Sequence, residues 1–206
     1  MGMNNSVTKY VEIISIGTEL LMGELVDSNS TFLASELPSL GLTLNRVTKI
    51  GDDSSEIKRC ITESLSRADI VITTGGLGPT SDDLTREAIA SYCAEKMYIS
   101  EPLLDELKLK FVERGQKMPA TNLKQATLIK SASHIPNPNG TAPGWFTQKN
   151  KKIIIALPGP PLELSPMWMN AVKPKLKDLI PNIHIVTRNI KTYGIFHGVS
   201  QNPDVE

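Results

Sequence analysis

The class of fold follows from residues 70–83, IVITTGGLGPTSDD. The short apolar run at its start predicts a strand that is covered on both faces, as in a parallel sheet. The glycine-rich loop follows directly, and a helix is predicted from about Leu84 to Cys93. A strand, a loop and a helix in this order form one βα unit of an α/β domain.

The same alternation of strands and helices extends along the chain in both directions. It predicts right-handed crossovers and a mostly parallel sheet that is covered by helices on both faces. Ligands of such folds bind at the carboxyl ends of the strands, where the glycine-rich loop lies. Between residues 118 and 147 the pattern is weak. The predicted strands are 11–16, 42–47, 153–157 and a weak last strand at 183–191, and the predicted helices are 31–40, one from 52, 103–112 and 163–172.

Composition and charge narrow the class of protein. The 206 residues suit one domain, and 22 basic side chains balance 22 acidic ones. A neutral chain without a long basic run lacks the electrostatic footprint of a protein that binds nucleic acid or an anionic membrane. No stretch has the pattern of a signal peptide or the length of a membrane span. Cys60 and Cys93 occupy apolar positions, which indicates buried thiols in a reducing compartment, and we expect a cytoplasmic protein.

The glycine-rich loop has the composition of an anion-binding site. Its glycines permit positive φ and a close approach of the backbone to a ligand. The helix that follows has a positive end, which favours phosphate, although Asp82 and Asp83 would repel a bare phosphate there. A divalent cation resolves this conflict, because Mg²⁺ binds carboxylate and phosphate oxygens together. The predicted ligand contacts of the loop are Gly75, Gly76, Gly78, Thr80, Ser81 and Thr85.

Helix capping is the simpler interpretation of the same loop. A cap accounts for one of Ser81, Asp82 or Asp83. It does not account for three glycines, a proline and two adjacent acids together, and we therefore favour the functional interpretation. The loop matches neither the Walker A pattern nor GxGxxG, so it does not indicate the families that those motifs define.

Other loops that follow predicted strands also carry polar side chains. Glu19 is a candidate ligand of a metal or a hydroxyl group, and Asn29 is a candidate hydrogen-bond partner of a heterocycle. Capping or surface exposure explains these two residues equally well. Asp52 and Asp53 also follow a strand, and for them helix capping is the better interpretation of the residues alone.

Two later loops, residues 139–144 and 158–163, are candidate pocket walls. Prolines make the second loop rigid, and Gly159 leaves its backbone open to a ligand. Glu163 lies in a first helical turn, where an acid is favourable without any function. The first loop has small residues, and a simple surface turn explains them equally well.

The tryptophans and the possible nucleophiles limit the chemistry. Trp145 and Trp168 are candidates for stacking on a base, but the run from Met167 to Met169 is better explained as core or as a subunit contact. No Ser/His/Asp set and no cysteine nucleophile stands out. A metal-activated water therefore fits the residue types better than covalent catalysis.

These motifs occur together, and in the same order, in one known family. The chain resembles the amino-terminal domain of the CinA family, the competence/damage-inducible proteins, over about residues 10–173. That domain is similar to the molybdopterin-binding domains of molybdenum cofactor biosynthesis. The resemblance implies a three-layer α/β/α fold in one domain at residues 8–180. The motifs are GTELL at 17–21, DSN at 27–29, TGGLGPTSDDLT at 74–85, NGTAPG at 139–144 and PGPPLE at 158–163.

The resemblance implies two activities and a set of site residues. CinA-like domains are associated with metal-dependent hydrolysis of the pyrophosphate in ADP-ribose. The molybdopterin-binding relatives bind a pterin phosphate, and some adenylylate it with ATP and Mg²⁺. By motif position, Asp83 is the metal-linked acid, with Asp82 and Asp52 as neighbours. The resemblance therefore implies Asp83 and Asp82 as catalytic residues and all three acids as metal ligands, and the expected metal is Mg²⁺, Mn²⁺, Co²⁺ or Ni²⁺. The expected ligand contacts outside the glycine-rich loop are Glu19, Asn29, Gly144, Gly159 and Glu163.

The sequence departs from the CinA pattern after the late strand. A small subdomain that opens with a Gly-Ile-x-Glu-Ser-like motif usually follows, whereas here residues 194–200 read GIFHGVS and lack the acid. Residues 181–206 are therefore expected to form a strand and the remnant of that subdomain. The nicotinamide-nucleotide deamidase domain of many CinA proteins is absent from the sequence, so its activity is not transferred.

Three hypotheses follow from the residues and the resemblance. The first is a hydrolase that splits a nucleotide-sugar pyrophosphate such as ADP-ribose. The second is a module that binds molybdopterin or another pterin phosphate, and the third is a scaffold without catalysis. Relatives assemble as dimers or trimers, so a homo-oligomer is expected.

Overall fold

The central sheet of the protein has six strands in the order β2-β1-β3-β8-β7-β6. The computed structural model describes residues 9–180. The first four strands of this order are parallel, and β7 and β6 continue the sheet antiparallel. The prediction of an α/β fold with a mostly parallel sheet is confirmed. The strands are β1 Lys9–Ile16, β2 Leu42–Ile50, β3 Ile70–Thr74, β4 Tyr98–Ile99, β5 Thr127–Leu128, β6 Ala132–Ile135, β7 Gly144–Lys149 and β8 Lys152–Leu157.

Two apolar clusters fill the two faces of this sheet, because the inner strands are buried on both sides. One cluster includes Ile14 and Val71 with the helices at 54–67, 85–93 and 101–113, and the other includes Ile13 and Ile72 with the helices at 28–36, 161–167 and 173–179. The helices are α1 Thr18–Leu21, α2 Ser28–Glu36, α3 Ser54–Arg67, α4 Thr85–Cys93, α5 Glu101–Glu113, α6 Pro161–Met167 and α7 Lys173–Leu179.

Several predicted boundaries were wrong for identifiable reasons. The helix predicted at 31–40 begins earlier, because Asp27 caps it through the N–H of Ser30, and it gives way to a 3₁₀ turn at Leu37–Leu40, where Pro38 cannot continue the helical hydrogen bonds. The weak region between 118 and 147 contains three short strands, two of them at the antiparallel edge. The helix predicted at 163–172 passes through a π-helical stretch at Trp168–Val172 into α7.

Other expectations concern the buried residues and the end of the chain. Cys60 and Cys93 are buried free thiols, and Trp145 and Trp168 are fully buried in the core, which leaves neither indole available for stacking on a ligand. Within residues 9–180, no helix is long and apolar enough to cross a membrane. The predicted strand at 183–191 and the expected remnant at 181–206 lie outside the described residues.

Candidate functional site

A cleft of about 450 Å³ opens at the carboxyl ends of β1, β3 and β8. The glycine-rich loop between β3 and α4 forms one wall, and the loops at 141–142 and 158–163 form the other. This is the edge at which ligands of parallel α/β sheets bind. The predicted site residues that line the cleft are Glu19, Asp52, Gly75, Gly76, Gly78, Thr80, Asp82, Asp83, Gly159 and Glu163.

The carbonyl groups of the glycine-rich loop are bound by the start of α4. The hydroxyl group of Thr85 donates to the oxygen of Gly75 at 2.9 Å, and its N–H donates to the oxygen of Gly76 at 3.2 Å. The guanidinium of Arg86 donates to the oxygen of Leu77 at 2.8 Å. No described peptide bond is cis, and in a trans peptide the N–H points opposite to the preceding carbonyl. The N–H groups that follow these three carbonyls are therefore directed away from α4.

Three consecutive N–H groups of the loop are consequently available to a ligand. Within residues 9–180, no protein atom accepts a hydrogen bond from the N–H of Gly76, Leu77 or Gly78. All three residues line the cleft. Successive main-chain donors in a concave turn form a nest that binds anions. The glycines are required here, because Gly75 and Gly76 have φ of 101° and 66°, a region that favours glycine.

Two carboxylates of the cleft are held in the same way by a threonine. One oxygen of Asp83 accepts hydrogen bonds from the N–H and the hydroxyl of Thr80, at 2.9 and 2.6 Å. One oxygen of Asp52 accepts from the N–H and the hydroxyl of Thr18, both at 2.9 Å. In each pair the second carboxylate oxygen makes no hydrogen bond to the described residues. Both acids can therefore offer an oxygen to a ligand.

The charges that line the cleft are all negative. Five carboxylates face it, and no Lys, Arg or His side chain of the described part of the chain is among the lining residues. Within residues 9–180, no group of three or more His, Cys, Asp or Glu side chains is close enough to hold a metal ion by itself. Mg²⁺ usually binds one or two protein carboxylates and completes its shell with water and substrate phosphates. The residues therefore fit a metal that binds together with a phosphorylated ligand.

The opposite wall is organised by Asn137, which is 1% exposed. Its Nδ2 donates to the oxygen of Ala142 at 2.9 Å and to Oε2 of Glu163 at 2.6 Å. Its Oδ1 accepts from the N–H of Gly140 at 2.9 Å and from that of Asn139 at 3.1 Å. This amide fixes the loop and the Glu163 carboxylate together.

A second cleft of about 440 Å³ adjoins the first and shares four lining residues with it, Ile16, Glu19, Gly159 and Pro160. Asn29 lines this second cleft, where its Nδ2 donates to the oxygen of Gly159 at 2.7 Å. Asp27 lies beside it. Burial alone would raise the pKa of Asp27, but hydrogen bonds from Ser15 and Ser30 outweigh burial and hold that pKa below its usual value. The apolar lining residues are Ile16, Leu20, Leu25, Val26, Pro160 and Pro161.

Three predicted contacts lie outside both clefts. Thr85 is fully buried behind the glycine-rich loop, where its hydroxyl holds a carbonyl and shapes the loop. Ser81 is exposed and donates to Asp82 at 3.2 Å. Gly144 is buried at the start of β7, where a Cβ atom would lie 2.5 Å from the oxygen of Ala156. This glycine therefore permits close strand packing.

Sequence reasoning missed Arg86, Gln125 and Asn137. Arg86 comes directly after the loop motif, but nothing in the local sequence of its helix indicates that it is buried. Gln125 lines the cleft and accepts a hydrogen bond from Asn122 at 2.8 Å, but it lies in the region of weak pattern. Asn137 belongs to a run of turn residues, and only its position two residues after a strand end distinguishes it.

The sequence matches a known protein family over most of its length. Residues 12–178 match a family described as "Probable molybdopterin binding domain". A CinA-like protein of Deinococcus radiodurans is 52% identical over 188 residues, which cover 89% of this chain and 46% of that protein. The chain thus spans about half the length of the curated relatives that it matches.

Solved structures extend the comparison to the fold. The protein CinA with unknown function from Thermoplasma acidophilum superposes with a TM-score of 0.76 at 34% identity, covering 82% of this chain and 98% of that one. The molybdopterin biosynthesis enzyme MoaB from Thermus thermophilus superposes with a TM-score of 0.54 at 19% identity, covering 84% and 96%. The second similarity establishes the fold alone.

Proposed function

The chain belongs to the CinA family and carries its molybdopterin-binding-type domain, and we propose that it hydrolyses the pyrophosphate of a nucleotide sugar, with ADP-ribose as the leading substrate. The observation that carries the proposal is the pairing of a main-chain anion nest with acidic side chains. The N–H groups of residues 76–78 face the same cleft as five carboxylates. A phosphate that binds the nest therefore lies beside acids that would repel it unless a cation is present.

We propose Mg²⁺, Mn²⁺, Co²⁺ or Ni²⁺ as the cofactor, held by Asp83 with Asp82 and Asp52 as neighbours. Asp83 and Asp52 each keep one oxygen without a protein partner in the described residues, and Asp82 is exposed and directly precedes Asp83. A divalent ion at these oxygens would supply Lewis-acid polarisation of a phosphoryl oxygen. All three acids line the cleft.

Other groups of the protein would bind the phosphate and accept the proton of the attacking water. The N–H groups of the glycine-rich loop bind the phosphoryl oxygens and stabilise the negative charge that develops on them. Glu19 and Glu163 line the same cleft and are carboxylates able to accept the proton of an attacking water. Asn137 keeps Glu163 on the wall opposite the loop. The products would be AMP and ribose 5-phosphate.

The test is AMP release from ADP-ribose by the purified protein with each of the four metals in turn. We expect release that depends on metal and that falls by about 100-fold or more in Asp83→Ala. Asp105→Ala is the matched control, because Asp105 is an exposed acid on α5, outside both clefts. Absence of AMP release with every metal would overturn the hydrolase, and full turnover in Asp83→Ala would overturn the role of that residue.

A second function, the binding of molybdopterin or another pterin phosphate, is favoured by the apolar second cleft. Its volume of about 440 Å³ and its leucine, valine and proline lining suit a flat ring, which both a pterin and an adenine supply. Pterin fluorescence that copurifies with the protein, or adenylyl transfer from ATP, would favour this function over hydrolysis. A non-catalytic scaffold is the third proposal, and failure to bind any phosphorylated ligand with metal present would support it.

The assembly and the cellular location are also proposals. Exposed Leu21, Met22 and Leu162 lie near the second cleft in sequence and support a subunit contact in a dimer or trimer. Light scattering of the purified protein measures the mass of that assembly. The two buried thiols support a cytoplasmic location.

A further inference from the structure

We propose that Arg86 is a positioning residue that holds the Leu77–Gly78 peptide with its N–H toward the phosphate. The proposal rests on the proposed function only in requiring a phosphorylated ligand. Arg86 is fully buried and does not line the cleft, so it would act through the loop and not by direct contact.

The guanidinium joins the two walls of the site. One terminal nitrogen donates to the oxygen of Leu77 at 2.8 Å, and the other donates to the oxygen of Pro143 at 2.9 Å. Leu77 is part of the glycine-rich loop, and Pro143 follows Ala142, which lines the opposite wall. A planar guanidinium has a rigid fork of donors, so it fixes both carbonyls in one geometry.

The direction of one carbonyl determines the direction of one donor. Because the Leu77–Gly78 peptide is trans, a carbonyl that points to Arg86 leaves the N–H of Gly78 pointing the opposite way. Gly78 lines the cleft, and its N–H has no acceptor within residues 9–180. Without Arg86, the neighbouring glycines would allow this peptide to rotate.

The chemistry of Arg86 is unusual for a residue with only a packing role. No carboxylate among the described residues lies within ion-pair distance of it, and its Nε is buried without a partner. Burial lowers the pKa of Arg86 to about 10, which still leaves it charged at neutral pH. A buried and unpaired charge costs stability that an apolar side chain of similar size would not. The positive charge behind the loop also favours an anion in a cleft that is otherwise acidic.

The experiment measures binding of inorganic pyrophosphate with Mg²⁺ by calorimetry, together with the amide resonance of Gly78 by NMR. We expect Arg86→Met to remain folded, although the carbonyls of Leu77 and Pro143 lose their donor. It should bind pyrophosphate at least about tenfold more weakly and lose the ligand-induced shift of the Gly78 amide. Arg86→Lys keeps the charge but cannot bridge two carbonyls with a fixed fork, so intermediate affinity is expected. Arg114→Met, which removes an exposed arginine after α5, is the control and should match the wild type.

The outcomes separate this inference from the proposed function. A wild type that binds pyrophosphate but does not release AMP from ADP-ribose leaves the role of Arg86 intact and refutes only the hydrolase. Folded Arg86→Met and Arg86→Lys proteins that bind pyrophosphate within about twofold of the wild type would overturn the role of Arg86. If Arg86→Met does not fold, Arg86→Lys decides alone, with an unchanged Gly78 shift as the refuting result. A wild type that shows no pyrophosphate binding overturns the role of Arg86 and leaves the hydrolase to the AMP-release assay.

Discussion

The two ends of the parallel sheet treat charged side chains in opposite ways. At the amino end, Glu12 is fully buried and receives two hydrogen bonds from Arg67, at 3.0 and 2.9 Å. Lys152 lies 3.6 Å from Asp69 and donates to the oxygen of Ala68 at 2.7 Å. At the carboxyl end, the five acids of the cleft have no cation among the lining residues.

The difference separates charges that stabilise the fold from charges that are available for binding. A buried ion pair holds its elements together, and breaking it leaves an unpaired charge in the interior. Carboxylates that are held only by threonine N–H and hydroxyl groups keep a free oxygen. Substitutions at the amino end should therefore change stability, and substitutions at the carboxyl end should change ligand binding. The predictions below test this division, from the largest expected effect to the smallest.

The largest effect should come from Gly75→Ala. Gly75 lies at the carboxyl end of the sheet, yet its substitution should reduce stability as well as ligand binding. A Cβ atom on Gly75 would lie 2.2 Å from the backbone oxygen of Ile16, and φ is 101°. Overpacking and backbone strain together should cost about 4 kcal/mol of unfolding free energy and abolish ligand binding. Urea denaturation measures the loss. Gly23→Ala has φ of 73° with nothing within 4 Å, so its cost should be only about 1 kcal/mol. Equal costs for the two variants would contradict the steric argument.

Arg67→Ala should lower the unfolding free energy, because it leaves the buried Glu12 carboxylate without its cation. Pyrophosphate affinity should not change. Arg59→Ala is the matched control, because the side chain of Arg59 is 59% exposed and water screens its pairs with Glu56 and Glu63. A ligand-binding defect in folded Arg67→Ala would contradict the division, because it would show that a substitution at the amino end also changes binding.

The contribution of the Glu12 pair should depend on pH. Burial alone would raise the pKa of Glu12, but hydrogen bonds from Arg67 and Asn45 outweigh burial and hold the pKa below its ordinary value of 4.5. A carboxylate with a lowered folded-state pKa stabilises the protein fully above its unfolded pKa and loses that effect as the pH falls through the folded pKa. The difference in unfolding free energy between wild type and Arg67→Ala should therefore shrink as the pH falls below 4.5. A difference that stays constant over this range would refute the assignment.

The smallest effect concerns Asp82, an exposed acid at the carboxyl end. Asp82→Asn should change stability by no more than about 0.5 kcal/mol, since it removes no buried contact. The metal concentration for half-maximal pyrophosphate binding should rise by about tenfold, which is about 1.4 kcal/mol. Asp105→Asn supplies the comparison, and an unchanged metal requirement in Asp82→Asn would remove this residue from the metal site.

The sequence was sufficient to predict the features that repeat along the chain. Alternating apolar strands and helices predicted the parallel part of the sheet, and the glycine-rich loop predicted the position of the cleft. The antiparallel edge was missed because β6 is short and half exposed, so its pattern does not differ from that of a loop. Capping was predicted for both Asp52 and Asp53. Asp53 does cap α3 and accepts from the N–H of Glu56 at 2.8 Å, whereas Asp52 instead accepts from Thr18 and lines the cleft.

The remainder of the site depends on contacts between residues that are distant in sequence. Arg86 meets Pro143 across 57 positions, and Asn137 meets Glu163 across 26. Neither partner can be inferred from local spacing, because only the packing of the loops brings them together. Thr85 was predicted to contact the ligand, yet its hydroxyl is occupied by the oxygen of Gly75. A polar residue next to a binding loop can hold the conformation of the loop as well as contact the ligand.

The proposed anion nest consists of main-chain N–H groups, and this has a consequence for how variants of the protein can diverge. A main-chain donor survives almost any change of side chain, apart from substitution of the loop glycines or of the residues that hold their carbonyls. The second cleft instead presents side chains such as Leu25 and Val26, which a single substitution reshapes. Random substitution should therefore preserve the affinity for phosphate while it changes which ring system of the ligand is bound. Libraries randomised at residues 20–28 are the place to look for altered ligand choice at constant phosphate affinity.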